Sequence, residues 1–275
     1  MDAMFEFLRT RLQQGKRTSS FPHGSAEFPA RFRGLPVLDV GLCAEQQEIP
    51  SAVVTGARGE RRAIDLGACL FSPEEAVCTP AGELSYTRDH RMATSSREGL
   101  VSASGEVALA QALNARMLSM FGRSLRLRSV VAGSCGGCEA ELVALGNVVF
   151  DLARFGVQFV ASPRHADGLV VTGAVSRNMR VALGKTYDAM PAPRIVIAVG
   201  ACAITGGPFR GSEAVGDGLS VEWPVDLYVP GCPPHPLTML DGLLRLLNRL
   251  PPERQPVAPA PSESPGPEAL AQGYP

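Results

Sequence analysis

The second half of the chain alternates apolar, strand-like runs with segments of helical periodicity. The strand-like runs are LRLRSVVAG, VQFVAS, DGLVVTG, RIVIAVG and VDLYVPG. Helices are predicted over 139–155, 176–190 and 236–250, where apolar residues recur every three or four positions. Near-continuous apolar strands that alternate with helices are typical of a parallel sheet covered on both faces. The sequence therefore predicts a doubly wound α/β fold for this half.

Four cysteines lie in glycine-rich loops that directly follow three of these strands. Cys135 and Cys138 lie in GSCGGCEAE, Cys202 lies in VGACAITGG and Cys232 lies in VPGCPPHP. In a doubly wound sheet, binding sites form outside the carboxyl ends of the strands. We therefore expect the four thiols to converge at one edge of the sheet.

Four thiolates are the usual ligand set of a 4Fe-4S cluster. The steps between these cysteines are 3, 64 and 30 residues, whereas a zinc ribbon repeats two C-x-x-C pairs at short separation. The flanking glycines allow tight turns, and their N–H groups are able to point at cluster sulfurs. The alternative is that the cysteines are buried structural thiols beside turn glycines.

Composition excludes several other classes of protein. The chain has 275 residues and a net charge of −1, without a basic run interleaved with aromatics, so a nucleic-acid partner is not expected. Seven cysteines, an odd number in a chain of this size, do not suit a small disulfide scaffold. No window approaches the roughly 18 apolar residues of a membrane span, and the N-terminus lacks a secretory signal. A cytoplasmic protein is expected, with any membrane association through partner subunits or a surface-lying helix.

The cysteine loops resemble a known family. GSCGGCEAE, SPRHADGLVVTGAVSRNM, VGACAITGG and YVPGCPPHP are similar to segments of NiFe-hydrogenase small subunits and of the complex I 20-kDa subunit. The resemblance covers about residues 125–250 and implies one 4Fe-4S cluster, with iron ligands Cys135, Cys138, Cys202 and Cys232. It also places VTGAVSRNM near the cluster and a large-subunit interface, which makes Arg177, Asn178 and Met179 candidates for contacts.

The first cysteine pair distinguishes the branches of this family. The complex I type has two adjacent cysteines, whereas Cys135 and Cys138 are separated by two glycines, as in the membrane-bound, formate-hydrogenlyase-like hydrogenases. In that branch an acid at the position of Glu139 is associated with proton movement. The equally good alternative is a carboxylate favoured at a helix N-terminus. His235 either donates a hydrogen bond to a cluster sulfur or packs, and His165 is expected to be structural.

The N-terminal half resembles the ferredoxin-like subunit of the same complexes, but most of its ligands are missing. The matching segments are FLRTRLQQGKRTSSFP, PARFRGLPVLD, AIDLGACLF and ELSYTRDHRMA. A two-cluster ferredoxin needs two C-x-x-C-x-x-C-x-x-x-C-P runs, and this half has only Cys43, Cys69 and Cys78. We expect that this half keeps the docking surface of a ferredoxin-like domain but no longer transfers electrons. The alternative is one unusual cluster with a non-cysteine ligand.

The predicted organisation has four parts. A degenerate ferredoxin-like α+β domain covers 1–100 and begins with a short amphipathic helix, which either docks to a membrane or partner or packs on its own domain. A helical connector covers 101–124, because Leu109, Leu113, Met117 and Met120 have helical spacing. A flavodoxin-like cluster-binding domain covers 125–250. A disordered, proline-rich tail covers 251–275.

The resemblance implies an electron-transfer small subunit of a membrane-associated, complex-I-like NiFe hydrogenase. Such a chain is part of an oxidoreductase and is not catalytic alone. The implied partners are a hydrogenase-like large subunit, a ferredoxin-like or other iron–sulfur subunit, and membrane subunits that hold the chain on the cytoplasmic face of the inner membrane. Two alternatives remain: the equivalent subunit of a hydrogenase-related or NADH-quinone oxidoreductase complex without a NiFe site, and a cluster-free scaffold subunit.

Overall fold

The described part of the N-terminal half contains one helix and short antiparallel strands. The computed structural model describes residues 2–24, 26, 28–38, 53–55, 62–72, 84–102, 106–219 and 222–250. The first elements are helix α1 (Asp2–Gln14) and strands β1 (Pro36–Leu38), β2 (Val53–Thr55), β3 (Arg62–Asp65), β4 (Leu84–Tyr86) and β5 (Val101–Ser102). β1 pairs with β4, and β3 pairs with both β2 and β5, all antiparallel. Strands β1 to β4 lie within 1–100, the range for which an α+β domain is predicted, while Cys43, Cys78 and the tail over 251–275 lie outside the described residues.

Helix α1 forms where the apolar spacing predicted it. Its apolar side chains are exposed, with Phe5 71% and Leu12 83% accessible. The helix therefore does not bury this stripe against its own domain, in contrast to one of the two expectations from the sequence. Among the described residues, no helix has both the length and the apolar character needed to cross a membrane.

Five strands and five α-helices follow in the ranges 106–219 and 222–250 that the structure describes. The helices are α2 (Ala115–Phe121), α3 (Gly137–Ala144), α4 (Arg177–Asp188), α5 (Ala201–Thr205) and α6 (Pro236–Leu246). The strands are β6 (Leu125–Val131), β7 (Val157–Phe159), β8 (Gly168–Thr172), β9 (Ile195–Val199) and β10 (Leu227–Val229). Each apolar run identified in the sequence contains one of these strands.

The five strands form one parallel sheet in the order β7-β6-β8-β9-β10. The chain starts at β6, adds β7 on one side, and then returns to add β8, β9 and β10 on the other. This is the flavodoxin-like order, and the predicted α/β fold class is confirmed. The direction of winding reverses between β6 and β8, so the loops after these two strands border the crevice in which such folds bind ligands.

Strands β8, β9 and β10 are apolar on both faces because both faces are covered. Every residue of β8, β9 and β10 is buried. One core cluster lies around Leu127, Ile197 and Leu240, and the other contains Leu169 and Val196. This two-sided burial explains why the strands read as continuous apolar runs rather than as alternating ones.

The connector predicted over 101–124 is helical only over Ala115–Phe121, so the longer helix was wrong. Asn114 caps α2, since its side chain accepts a hydrogen bond from the Met117 N–H at 3.0 Å. Before it, the Ala110 N–H donates to the Ala93 carbonyl at 2.8 Å. This hydrogen bond to a distant segment replaces a helical one at Ala110 and overrides the helical spacing.

The helix predicted over 139–155 is also interrupted. α3 ends at Ala144, and a short 3-10 turn over Leu152–Phe155 follows a loop. The Asn147 side chain accepts hydrogen bonds from the N–H groups of Val149 and Phe150, which is a local alternative to helical bonding. Gly156 has a φ of 68° and ends the segment as the sequence indicated.

The two halves share one of the hydrophobic cores. Ile64 and Leu66 of the N-terminal half are in the same buried cluster as Leu169 and Val171 of β8. The Thr205 hydroxyl donates to the Gly67 carbonyl at 3.0 Å. Thr94 and Tyr228 exchange backbone hydrogen bonds of 3.0 and 2.8 Å, which cover the outer edge of β10. The parallel sheet therefore packs against the N-terminal half through a shared core and through backbone hydrogen bonds at β10.

Candidate functional site at the carboxyl edge of the sheet

The four cysteines of the second half lie on three loops at the carboxyl edge of the sheet. Cys135 and Cys138 follow β6, with Cys138 in the first turn of α3, Cys202 is in α5 directly after β9, and Cys232 follows β10. The Gly200 N–H donates to the Val229 carbonyl at 2.9 Å, and the Ala201 N–H donates to the Gly231 carbonyl at 3.0 Å. These bonds join the loops after β9 and β10 directly beyond the sheet.

Gly200 lies where the three loops meet. A Cβ placed on Gly200 would be 2.5 Å from the Cys138 Sγ, 3.5 Å from the Gly231 carbonyl oxygen and 3.9 Å from Pro234 Cδ. The backbone of Gly200 has a φ of 89° and a ψ of 156°, a region that is essentially restricted to glycine. Only glycine therefore lets the Cys138 thiol approach the loop that carries Cys202.

A second contact joins the loops after β6 and β10, on the other side of the four cysteines. A Cβ on Gly137 would be 3.6 Å from both the Cys135 Sγ and Pro233 Cγ. The loop after β6 thus touches the loop after β10 as well as the loop after β9. The four cysteines, which span 98 positions of the sequence from Cys135 to Cys232, are brought to one place by the sheet.

The thiols differ in their exposure. Cys135 and Cys232 are exposed, while Cys138 and Cys202 are half-buried. Burial, followed by the charges of Glu139 and the three other cysteines, raises the pKa of Cys138 to about 12. Burial also raises the pKa of Cys202. Four neighbouring thiolates repel one another, so bound cations would be needed to hold all four deprotonated.

The donor set of the site consists of four cysteine thiols. Within the described ranges, no three His, Cys, Asp or Glu side chains are placed to hold one metal ion. Each thiolate of a 4Fe-4S cluster binds a different iron, so the four sulfurs surround a cube rather than meet at one point. A Cβ on Gly136, in the loop between Cys135 and Cys138, would have no atom within 4 Å. Four thiols on three loops at one edge of the sheet are a donor set of the kind that a 4Fe-4S cluster takes.

Glu139 links the first cysteine loop to the sheet. The Ser134 hydroxyl donates to its Oε2 at 2.8 Å, and the Thr172 hydroxyl donates to its Oε1. Thr172 is fully buried at the end of β8. The sequence indicated Glu139 but gave no sign of these two partners. The signal available was a single hydroxyl residue, Thr172, that ends the otherwise apolar run GLVVT.

The other residues noted in the sequence have structural surroundings. His235 caps α6, since its Nδ1 accepts a hydrogen bond from the Leu237 N–H at 3.1 Å, and its ring packs against Phe28, Phe32 and Phe150. Burial lowers the pKa of His235 to about 4. This agrees with a packing role for His235, and His165 is exposed in a short 3-10 turn.

The three candidate contact residues at the start of α4 divide into two groups. Arg177 and Asn178 are exposed, and the Arg177 guanidinium donates to the Glu213 carbonyl at 2.6 Å. Met179 packs against the hydrophobic core instead.

In the N-terminal half, Cys69 is fully buried among apolar side chains.

The sequence matches a family model over residues 135–246, the range that contains all four cysteines of the site. That model describes the NADH ubiquinone oxidoreductase 20 Kd subunit. An NADH-quinone oxidoreductase subunit of Desulfovibrio desulfuricans is 43% identical over 171 residues, which are 62% of this chain and 90% of the relative. The chain belongs to this family. The resemblance of the cysteine loops to this family is confirmed, and the protein is a subunit of an oxidoreductase complex.

Hydrogenase subunits of the same family are about as similar. A probable membrane-bound hydrogenase subunit of Pyrococcus furiosus is 42% identical over 136 residues, covering 50% of this chain and 81% of the relative. Formate hydrogenlyase subunit 7 of Escherichia coli is 42% identical over 138 residues, covering 50% of this chain and 54% of the relative. Overall identity therefore does not separate the two branches of the family.

Proposed function

We propose that the protein is the electron-transfer subunit of a membrane-associated, complex-I-like NiFe hydrogenase of the formate-hydrogenlyase type. Cys135, Cys138, Cys202 and Cys232 hold one 4Fe-4S cluster. The observation that carries this proposal is the convergence of three cysteine loops around Gly200 at the carboxyl edge of the sheet. A cluster with four cysteine ligands supplies one-electron transfer when bound.

The chain's own residues give the cluster a fixed position and a route to a partner. Cys138 and Cys202 anchor the inner side, while the exposed Cys135 and Cys232 keep the outer side near the surface. Exposed apolar side chains lie close by in sequence, with Val143 77% and Phe209 53% accessible. A large subunit that covered this edge would bring its redox centre close to the cluster and exclude water from it.

The hydrogenase assignment rests on the spacing of the first cysteine pair. Two glycines separate Cys135 from Cys138, whereas the complex I type has adjacent cysteines. The proposed partners are a hydrogenase-like large subunit, a ferredoxin-like or other iron–sulfur subunit, and membrane subunits that keep the chain peripheral on the cytoplasmic face. The N-terminal half is proposed to be a degenerate ferredoxin-like docking domain.

A second candidate is the equivalent subunit of an NADH-quinone oxidoreductase or a related complex without a NiFe site. The observation in its favour is the match to the NADH-quinone oxidoreductase subunit of Desulfovibrio desulfuricans, which spans 90% of that relative. The sequence of the large subunit that co-purifies with the chain distinguishes the two candidate functions. Two C-x-x-C pairs in its sequence support the hydrogenase, and their absence supports the second candidate.

Cluster binding is tested on the full chain purified without oxygen. We expect iron and acid-labile sulfide in a four-to-four ratio and an EPR signal after reduction with dithionite. Cys202→Ala should lose most of the iron, because it removes one of four ligands. Cys69→Ala is the matched control: it removes a buried thiol of the other half and should keep the iron.

Two outcomes would contradict the proposal. A folded wild-type chain without iron or sulfide would make the protein a cluster-free scaffold subunit. Full iron content in Cys202→Ala would reject the ligand assignment even if the wild type carried a cluster.

A further inference from the structure

Within the described part of the chain, the second half of strand β6 has a neighbouring strand on one side only. β6 runs over Leu125–Val131, and β7 pairs with it only from Leu125 to Leu127. The last bond of this ladder joins the Val160 N–H to the Leu127 carbonyl at 2.8 Å, and the chain then leaves the ladder for the 3-10 turn Pro163–His165. On its other side, β6 pairs with β8 as far as Val131. The second half of β6 is therefore an edge strand on the side of β7.

Two residues of β6 direct backbone groups toward this open edge. Successive residues of a strand in a parallel sheet bond to opposite neighbours. Leu127 bonds toward β7, whereas the Ala132 N–H donates to the Thr172 carbonyl of β8 at 2.7 Å. Ser129 and Val131 therefore face the side that β7 leaves uncovered, and among the described residues their N–H and carbonyl groups have no backbone partner there. Val131 is 45% accessible, so the edge is open to another chain.

The two faces beside this edge differ in chemistry. Side chains alternate between the faces of a strand, so Arg126 and Arg128 lie on one face and Val131 lies on the other. Phe159, which is in register with Leu127, is 40% accessible on the same face as Val131. A strand added here would place every second side chain beside the arginines and the side chains between them beside apolar groups.

Arg128 lacks a partner for its charge among the described residues. Its side chain is half-buried, and its Nε is buried without a hydrogen-bond acceptor. The ion pairs found in the described part of the chain include neither Arg126 nor Arg128. A buried N–H group without an acceptor is rare in folded proteins, and a guanidinium binds a carboxylate through two parallel hydrogen bonds. The charges beside the open edge therefore complement acidic side chains of an added strand.

We propose that the open edge of β6 docks an extended segment of another subunit, in which apolar and acidic residues alternate. The segment pairs with the backbone of Ser129 and Val131. Its acidic side chains bind Arg126 and Arg128, and its apolar side chains cover Phe159. Strand addition of this kind draws affinity from main-chain hydrogen bonds and specificity from alternate side chains. The chain belongs to a family of oxidoreductase subunits, so partner subunits are expected beside it.

Hydrogen exchange at single amides tests the edge directly. The exchange of the Ser129 and Val131 amides is measured in the chain alone and in the complex purified with it from the membranes of its host in mild detergent. We expect both amides to exchange freely in the chain alone and at least about tenfold more slowly in the complex. The Ala132 amide, which bonds to β8, is the internal control and should be protected in both samples.

Arg128→Glu tests the charge of the docked segment. We expect this variant to lose partner subunits during purification and to regain fast exchange at Ser129 and Val131 in the complex that remains. Arg116→Glu is the matched control, because it makes the same charge change at an exposed arginine of α2 and should leave both measurements unchanged. If Arg128→Glu does not fold, Arg126→Glu replaces it, since Arg126 is exposed beside the same edge.

Three results would overturn the proposal. The first is fast exchange of the Ser129 and Val131 amides in the intact complex. The second is protection of both amides in a dimer of the chain alone, because the edge would then pair with a second copy. The third is a folded arginine variant that keeps its partner subunits and the protection of both amides, because the segment would then not be acidic. The cluster assays are independent of these results, so an iron-free chain would leave the docking site standing.

Discussion

Replacing Gly200 by alanine is the most direct perturbation of the place where the cysteine loops meet. The new Cβ would lie 2.5 Å from the Cys138 Sγ, a distance that real Cβ contacts do not reach. The Gly231 carbonyl oxygen, 3.5 Å away, blocks movement toward the third loop. The Cys138 thiol would therefore have to leave its place beside Cys202.

The cost of this substitution has two parts. An L residue in the backbone conformation of Gly200, with φ 89° and ψ 156°, costs about 1–3 kcal/mol. Overpacking a tight contact costs about 1–3 kcal/mol more. The sum, roughly 2–6 kcal/mol, is a large part of the ~5–15 kcal/mol that stabilises a typical domain. We expect a folded but less stable protein that has lost most of its iron.

Gly211→Ala serves as the control for the backbone part of this cost. Gly211 also has a positive φ, 77°, but a Cβ placed there would have no atom within 4 Å. The free energy of unfolding from guanidinium titrations and the iron content of both variants are to be compared. Equal iron and stabilities within about 1 kcal/mol of each other would refute the argument that Gly200 is required by contact with Cys138.

Two further predictions concern the support of the fold. Burial between Phe21 and Phe28 lowers the pKa of His90 from 6.5 to about 4, so the folded state favours the neutral ring. Its contribution, roughly 3 kcal/mol at most, is present above pH 6.5 and lost as the pH falls toward 4. Urea titrations at pH 7 and pH 5 should show this loss, and His90→Phe should reduce it; an unchanged pH dependence would contradict the assignment. Arg245 pairs with Asp241 at 2.8 Å inside α6, and both are buried. Arg245→Met should cost about 3–5 kcal/mol by the same measurement, and adding Asp241→Leu should restore most of it; a double variant as unstable as the single one would contradict this.

Local patterns were sufficient for the strands and helices whose residue types follow directly from burial. The strands β8, β9 and β10 were predicted from apolar runs because two-sided burial demands apolar residues throughout. Helix α4 starts and ends within two residues of its prediction. By contrast, the connector over 101–124 was predicted as helix, since nothing in its sequence reveals that Ala110 pairs with Ala93.

The candidate site also contains both residues that the sequence revealed and contacts that it did not. The cysteines were singled out from residue type and spacing, because four thiols in glycine-rich loops after strands suit a metal cluster, and Glu139 was singled out from its place beside Cys138 and from the family resemblance. The contributions of Gly200 and Thr172 were not, since each depends on a partner far away in the chain: Cys138 is 62 positions before Gly200, and Glu139 is 33 positions before Thr172.

The sequence by itself determined the fold class, the family and the four thiols. Burial selects apolar residues and ligand chemistry selects cysteines, so both requirements are visible in the residue types. Only the tertiary structure decided which atoms meet. The winding order of the sheet places the ends of β6 and β8 side by side, and this brings Glu139 to Thr172 and closes the first cysteine loop. Contacts between distant segments depend on how the strands are ordered and how closely the backbones approach, and no local pattern encodes either.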